Sequence, residues 1–95
     1  MAKGMEDKTC RHWLVSGRVQ GVSFRAATRD QALALGLDGS ACTLGNGQVE
    51  VFAYGAPAAL DQFEAWLQRG PPAARVDAVM AGSCFGPLPT GFTTG

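Results

Sequence analysis

The sequence predicts an α+β domain whose elements follow the order β-α-β-β-α-β. Three observations carry this expectation. Short apolar runs end at glycines, as strands do. Two longer segments repeat their apolar residues at helical spacing. An Asn46-Gly47 pair separates two alternating runs, which is a strong local signal for a hairpin.

The first strand is expected over Cys10–Ser16, where His12-Trp13-Leu14-Val15 are aromatic or apolar and Gly17 stops the run. A loop continues through Ser23. The first helix then runs from about Phe24 to Leu35. Phe24, Ala27/Thr28 and Leu35 share one stripe, and Gly36 offers a C-terminal stop. Leu33 lies off the stripe and is expected to be partly exposed. Two strands follow, Leu37–Leu44 and Gln48–Tyr54, joined by Gly45-Asn46-Gly47, whose central residues tolerate positive φ. Pro57 suits the first turn of a second helix, which carries Leu60, Phe63 and Leu67 and ends at Gly70-Pro71-Pro72. Arg75–Met80 reads as the fourth strand on Val76 and Val79. Gly91-Phe92-Thr93-Thr94 is expected to add a short last strand. Two βαβ units interleaved by a hairpin give a ferredoxin-like sandwich, an antiparallel sheet with both helices on one face.

The totals agree with one such domain. The chain has 95 residues, 46% hydrophobic and 17% charged, which is ordinary globular material. Residues 1–9 are expected to form a flexible tail and 10–95 the domain. The formal net charge is zero, which argues against broad binding to nucleic acid or a membrane surface, since both need a basic excess. A local anion site needs only one or two cations and stays open. The start lacks the apolar core of a signal peptide, and no apolar run is long enough to span a bilayer. A cytoplasmic monomer is expected. Cys10, Cys42 and Cys84 are odd in number and widely spaced, so they are expected as free, partly buried thiols. Trp13, Trp66 and Phe85 are expected to pack in or over the sheet rather than form a partner surface.

The chemistry concentrates in the first loop. Gly17 and Gly21 bracket a connection between a strand and a helix start. Glycines let a ligand approach the backbone amides, and successive amides in a turn form an anion nest. The helix N-terminus behind it adds unpaired N–H groups and a favourable dipole. Arg25 falls in the first helical turn, where a cation is mildly unfavourable unless an anion joins it. Its planar fork suits two phosphate oxygens. An ordinary tight connection with Arg25 in solvent is the plainer reading of the same residues.

The run Ser16-Gly17-Arg18-Val19-Gln20-Gly21-Val22-Ser23-Phe24-Arg25 resembles the signature of the acylphosphatase family. Three further stretches agree in order: Leu35-Gly36-Leu37 with Gly39, Asn46-Gly47-Gln48-Val49-Glu50-Val51, and Trp66-Leu67-Gln68-Arg69-Gly70-Pro71 with Ala74-Arg75-Val76. The resemblance implies hydrolysis of the carboxyl–phosphate anhydride of small acyl phosphates, with no metal and no other cofactor. It implies that the amides of Val19, Gln20, Gly21, Val22, Ser23 and Phe24 wrap the phosphate oxygens. Arg25 would neutralise them, and inorganic phosphate would bind the same cradle. That is electrostatic stabilisation of a phosphoryl transfer by fixed donors.

The chain departs from the family at one telling place. The family's second catalytic residue is an asparagine that orients the attacking water. Aligned on Gly39 and on Asn46-Gly47, that position holds Thr43, which is therefore the second candidate catalytic residue. A threonine hydroxyl reaches less far than an amide and offers one polar atom instead of two. Thr43 either holds the water through its hydroxyl or is simply a β-branched strand residue. In the second case the chain is a phosphate- or acyl-phosphate-binding module without catalysis. Asn46 is no substitute, because the hairpin turn accounts for it and reaching the site would need a register shift. Ser40 takes a position usually aromatic and Cys42 one often basic or polar. Both alternate onto the face opposite Thr43.

Overall fold

Alternating burial writes the sheet. In a computed structural model of the chain, Val49, Val51, Ala53 and Gly55 are buried and the residues between them are half-buried. The structure describes residues 8–19 and 22–95, with Val22 described by its main chain only. The elements are β1 (Thr9–Arg18), α1 (Val22–Ala34), β2 (Asp38–Thr43), β3 (Val49–Gly55), α2 (Pro57–Arg69), β4 (Arg75–Cys84) and β5 (Phe92–Thr94). Thr9 thus opens β1, and the rest of the expected tail lies almost wholly outside the described residues.

The strands lie in the order β4-β1-β3-β2-β5. β1 pairs antiparallel with β3 and β4, and β2 antiparallel with β3. β5 runs parallel to β2, Gly39 opposite Phe92. The sheet is therefore mixed, which corrects the expected all-antiparallel one. After β4 the chain returns to the far edge of the sheet and travels there in the direction of β2. Phe92 then enters the core edge-on to Phe63, with ring centroids 6.2 Å apart. β4 also runs on to Cys84, past the expected end at Met80, because its far half continues to pair with β1.

Both helices bury their apolar stripes against one face of the sheet. Leu60, Phe63 and Leu67 of α2 join Phe24 and Ala32 of α1 on Trp13, Val15, Val49 and Val51. Arg11 of β1 reaches α2 through Asp61 at 2.8 Å and Glu64 at 3.4 Å. Trp13 is fully buried and Trp66 packs against the core, as expected, and Leu33 is half-exposed. Phe85 departs from the expectation, since its ring is 98% exposed. It follows directly on the last residue of β4. No helix among the described residues is long and apolar enough to cross a membrane.

The cysteines also differ from the expectation. Cys10 and Cys84 form a disulfide, with Cα atoms 5.1 Å apart and a sequence separation of 74. The wide spacing that argued for free thiols is closed by the β1–β4 register, which sets the two directly opposite each other. Cys42 stays a half-buried free thiol. Cys84→Ser is expected to lower stability by about 2–4 kcal/mol. Urea unfolding of wild type and variant under oxidising conditions measures the gap, and adding reductant to both should close it.

Two glycines are required by geometry near the site. Gly17 has φ +127°, and a Cβ there would collide with the carbonyl oxygen of Arg75 and lie 2.8 Å from the Asp77 nitrogen. It sits at the register shift where β1 prepares to leave the sheet. The β2–β3 turn closes from the Gly47 N–H to the Leu44 carbonyl at 2.9 Å. Only Gly47 takes positive φ there, +90°, so the turn uses one such residue rather than the two that Asn-Gly allows.

Candidate active site

Arg25 stands in the first turn of α1, and Thr43 is the last residue of β2. The structure brings them into contact. Arg25 Nη1 donates to Thr43 Oγ1 at 2.7 Å and to the main-chain oxygen of Gly95, also at 2.7 Å. These two bonds use both hydrogens of Nη1. A guanidinium has five N–H donors, so those on Nε and Nη2 remain. Nε–H and one Nη2–H form a parallel pair, the fork that fits two oxygens of a phosphate.

Arg25 brings a positive charge to this point. Its partners are the Thr43 hydroxyl and the Gly95 main-chain oxygen, and among the described residues no side-chain carboxylate pairs with it. The first turn of α1 carries no acidic residue. Its leading N–H groups, those of Val22, Ser23 and Phe24, have no acceptor within the helix. The positive end of the helix and the guanidinium therefore favour an anion together.

Of the expected cradle, Gln20 and Gly21 lie outside the described residues, as does the Val22 side chain. What is described shows how the ends of the loop are held. Val19 is fully buried and Phe24 is 1% exposed, so each end hangs from an apolar anchor in the core. Ser23 between them is exposed. Thr28 Oγ1 donates to the Phe24 carbonyl at 2.8 Å and satisfies the one buried polar side chain of α1.

The Thr43 hydroxyl accepts from Arg25. It keeps its own hydrogen to donate and a second lone pair to accept. Thr43 lies opposite Val49 and on the same side of β2 as the buried Ala41, while Ser40 and Cys42 alternate to the other face. Asn46 stays in the turn, where its Oδ1 accepts from the Gln48 N–H at 3.0 Å. His12 is on the open face, bonded to Glu50 Oε2 at 2.9 Å and tilted against Phe52. A cleft of about 710 Å³ runs beside Ala27, Trp66 and Gly70–Pro72, but neither Arg25 nor Thr43 lines it. Sequence reasoning missed the Gly95 oxygen, because a main-chain acceptor leaves no trace in residue type.

The acylphosphatase family model matches residues 11–93, nearly the whole chain. The acylphosphatase of Xanthomonas euvesicatoria pv. vesicatoria is 54% identical over 83 residues, covering 87% of this chain and 94% of that protein. The chain belongs to the acylphosphatase family. The acylphosphatase of Chromohalobacter salexigens is 48% identical over 91 residues, covering 96% of this chain and all of that protein. The structure of an acylphosphatase from Coxiella burnetii has a TM-score of 0.88 and 35% identity, covering 99% of each chain. The ferredoxin-like α+β architecture is thus the one found in this acylphosphatase. The family match spans the loop, Arg25 and Thr43 without a break, while Gly95 lies beyond it.

Proposed function

We propose that Arg25 and the amides of Val19–Phe24 hold the phosphate of a small acyl phosphate, and that Thr43 holds the attacking water. As a member of the acylphosphatase family the chain is a hydrolase, and this reading assigns its working parts. The observation that carries it is the 2.7 Å bond from Arg25 to Thr43, on an arginine that pairs with no side-chain carboxylate among the described residues. It sets a hydroxyl with a spare lone pair beside a guanidinium with a free fork.

The reaction joins water oxygen to phosphorus and breaks the bond from phosphorus to the acyl oxygen. The acyl group departs as carboxylate, and both water protons end on inorganic phosphate or solvent. A carboxylate is a good leaving group, so the protein is asked for position and charge rather than for a covalent intermediate. The free fork of Arg25 and the helix amides meet the charge on the equatorial oxygens. The remaining Thr43 lone pair accepts from the water and turns its oxygen toward phosphorus. The substrate is small and soluble, so the proposed enzyme works as a monomer in the cytoplasm, with no call for nucleic acid or membrane.

Phosphate release from benzoyl phosphate tests the reading. Release proportional to enzyme, inhibited competitively by inorganic phosphate, is the expected result. Phosphate binding without release would reduce the chain to a binding module, and absence of both would remove the site.

A further inference from the structure

β1 and β3 pair as far as Val15 opposite Val49, where their ladder ends. On its other side Val49 faces Thr43. Beyond this rung the strands part. β1 continues beside β4, Gly17 opposite Val76 and Arg18 opposite Arg75, and enters the loop leading to α1. The other arm turns through Leu44–Gln48 into β2 and reaches Thr43. The loop and Thr43 therefore stand on two arms of a fork whose vertex is the Val15–Val49 rung.

A side-chain bond crosses this fork just past the vertex. Gln48 Nε2 donates to Ser16 Oγ at 2.8 Å, in partly buried surroundings. The glutamine is braced at its other end. Its Oε1 accepts from Asn46 Nδ2 at 2.8 Å, and its main-chain N–H donates to Asn46 Oδ1 at 3.0 Å. Ser16 immediately precedes the register shift at Gly17, where β1 leaves regular pairing. The bond thus acts on the residue that sets where the loop begins. A long polar side chain held at both ends of its amide has lost rotamer freedom that a surface glutamine would keep.

We propose that Gln48 is a positioning residue. Its bond to Ser16 sets the width of the fork, and with it how the end of β1 at Arg18 stands relative to Thr43. The inference rests on the site reading given above, in which the loop holds phosphate and Thr43 holds water. It adds a specific kinetic signature. Arg25 and the first turn of α1 grip the phosphate, and Gln48 bonds to neither. Loosening the fork should therefore spoil the line of attack while leaving ground-state binding alone.

The experiment measures kcat and KM for benzoyl phosphate, inhibition by inorganic phosphate and thermal unfolding. The variants are Gln48→Ala, Gln48→Glu, Ser16→Ala, the Gln48→Ala/Ser16→Ala pair and Arg25→Ala. Gln48→Ala is expected to lower kcat about tenfold, since small misplacements near the reacting atoms are costly. KM and phosphate inhibition should stay within about twofold of wild type, because uniform binding is untouched. Ser16→Ala should match it, and the pair should lose little more, as two ends of one bond do. Gln48→Glu should recover most of the rate, because its carboxylate accepts from both the Ser16 hydroxyl and Asn46. The proposal is overturned if Gln48→Ala keeps wild-type kcat, if the two single losses multiply, or if Gln48→Glu is as slow as Gln48→Ala. It is equally overturned if Gln48→Ala lowers only the unfolding temperature. Arg25→Ala separates the two levels. If it spares both turnover and phosphate inhibition, the site reading itself fails. If it abolishes both while Gln48→Ala behaves as wild type, only the strut fails.

Discussion

Arg25→Ala is expected to lower kcat/KM for benzoyl phosphate about a thousandfold, the upper range for removing one preorganised donor to a transition-state charge. The expectation rests on the fork of Arg25 that its present partners leave free. Its two bonds, to a hydroxyl and a main-chain oxygen, both fall on Nη1, so Nε and Nη2 are open to the proposed phosphate. Charge-assisted hydrogen bonds contribute roughly 1.5–3 kcal/mol each, so inhibition by inorganic phosphate should weaken at least about tenfold. Arg25→Lys should fall between, because an ammonium keeps the charge and loses the fork. The variant should fold, since Arg25 is only half-buried and outside the apolar core. Unchanged phosphate inhibition in Arg25→Ala would move the anion site elsewhere.

Thr43→Asn is expected to raise kcat by about tenfold or more, with little change in KM, because it supplies a second polar atom where the water is held. The longer side chain still offers an oxygen to Arg25 Nη1 while its amide nitrogen faces the opening. Thr43→Val gives the opposite sign. It keeps the shape, removes the hydroxyl and leaves one hydrogen of Nη1 without its 2.7 Å acceptor. A fall in kcat of roughly tenfold is expected. Rate assays of both variants at saturating substrate decide the role of this residue. If Thr43→Val retains the wild-type rate, Thr43 is a strand residue and nothing more.

The elements with strong periodicity were legible in the sequence. Leu60, Phe63 and Leu67 announce α2, and the alternation through Val49 and Val51 announces β3. The place of Arg25 in the first turn of α1 was legible as well, from the glycine-bracketed loop before it. What escaped depends on pairing between distant residues. The parallel course of β5 follows from which edge of the sheet was still free, a property that Phe92-Thr93-Thr94 does not carry alone. The Cys10–Cys84 disulfide follows from the β1–β4 register, which brings together residues from opposite ends of the chain. The same holds within the site. That Thr43 touches Arg25 requires β2 and the start of α1 to meet in space. That Gln48 reaches Ser16 requires β1 and β3 to part at one particular rung.

β1 lies between β3 and β4, and both of those strands come later in the chain. During synthesis β1 therefore emerges with neither edge covered. It waits for residues 49–55 on one side and 75–84 on the other. Until then Trp13 and Val15, fully buried in the finished molecule, face solvent. Non-local pairing of this kind slows folding and prolongs the exposure of unpaired strand edges. The strand that leads toward α1 is thus made early and paired on both edges late, so a nascent chain has the signature sequence well before it has the fold around it.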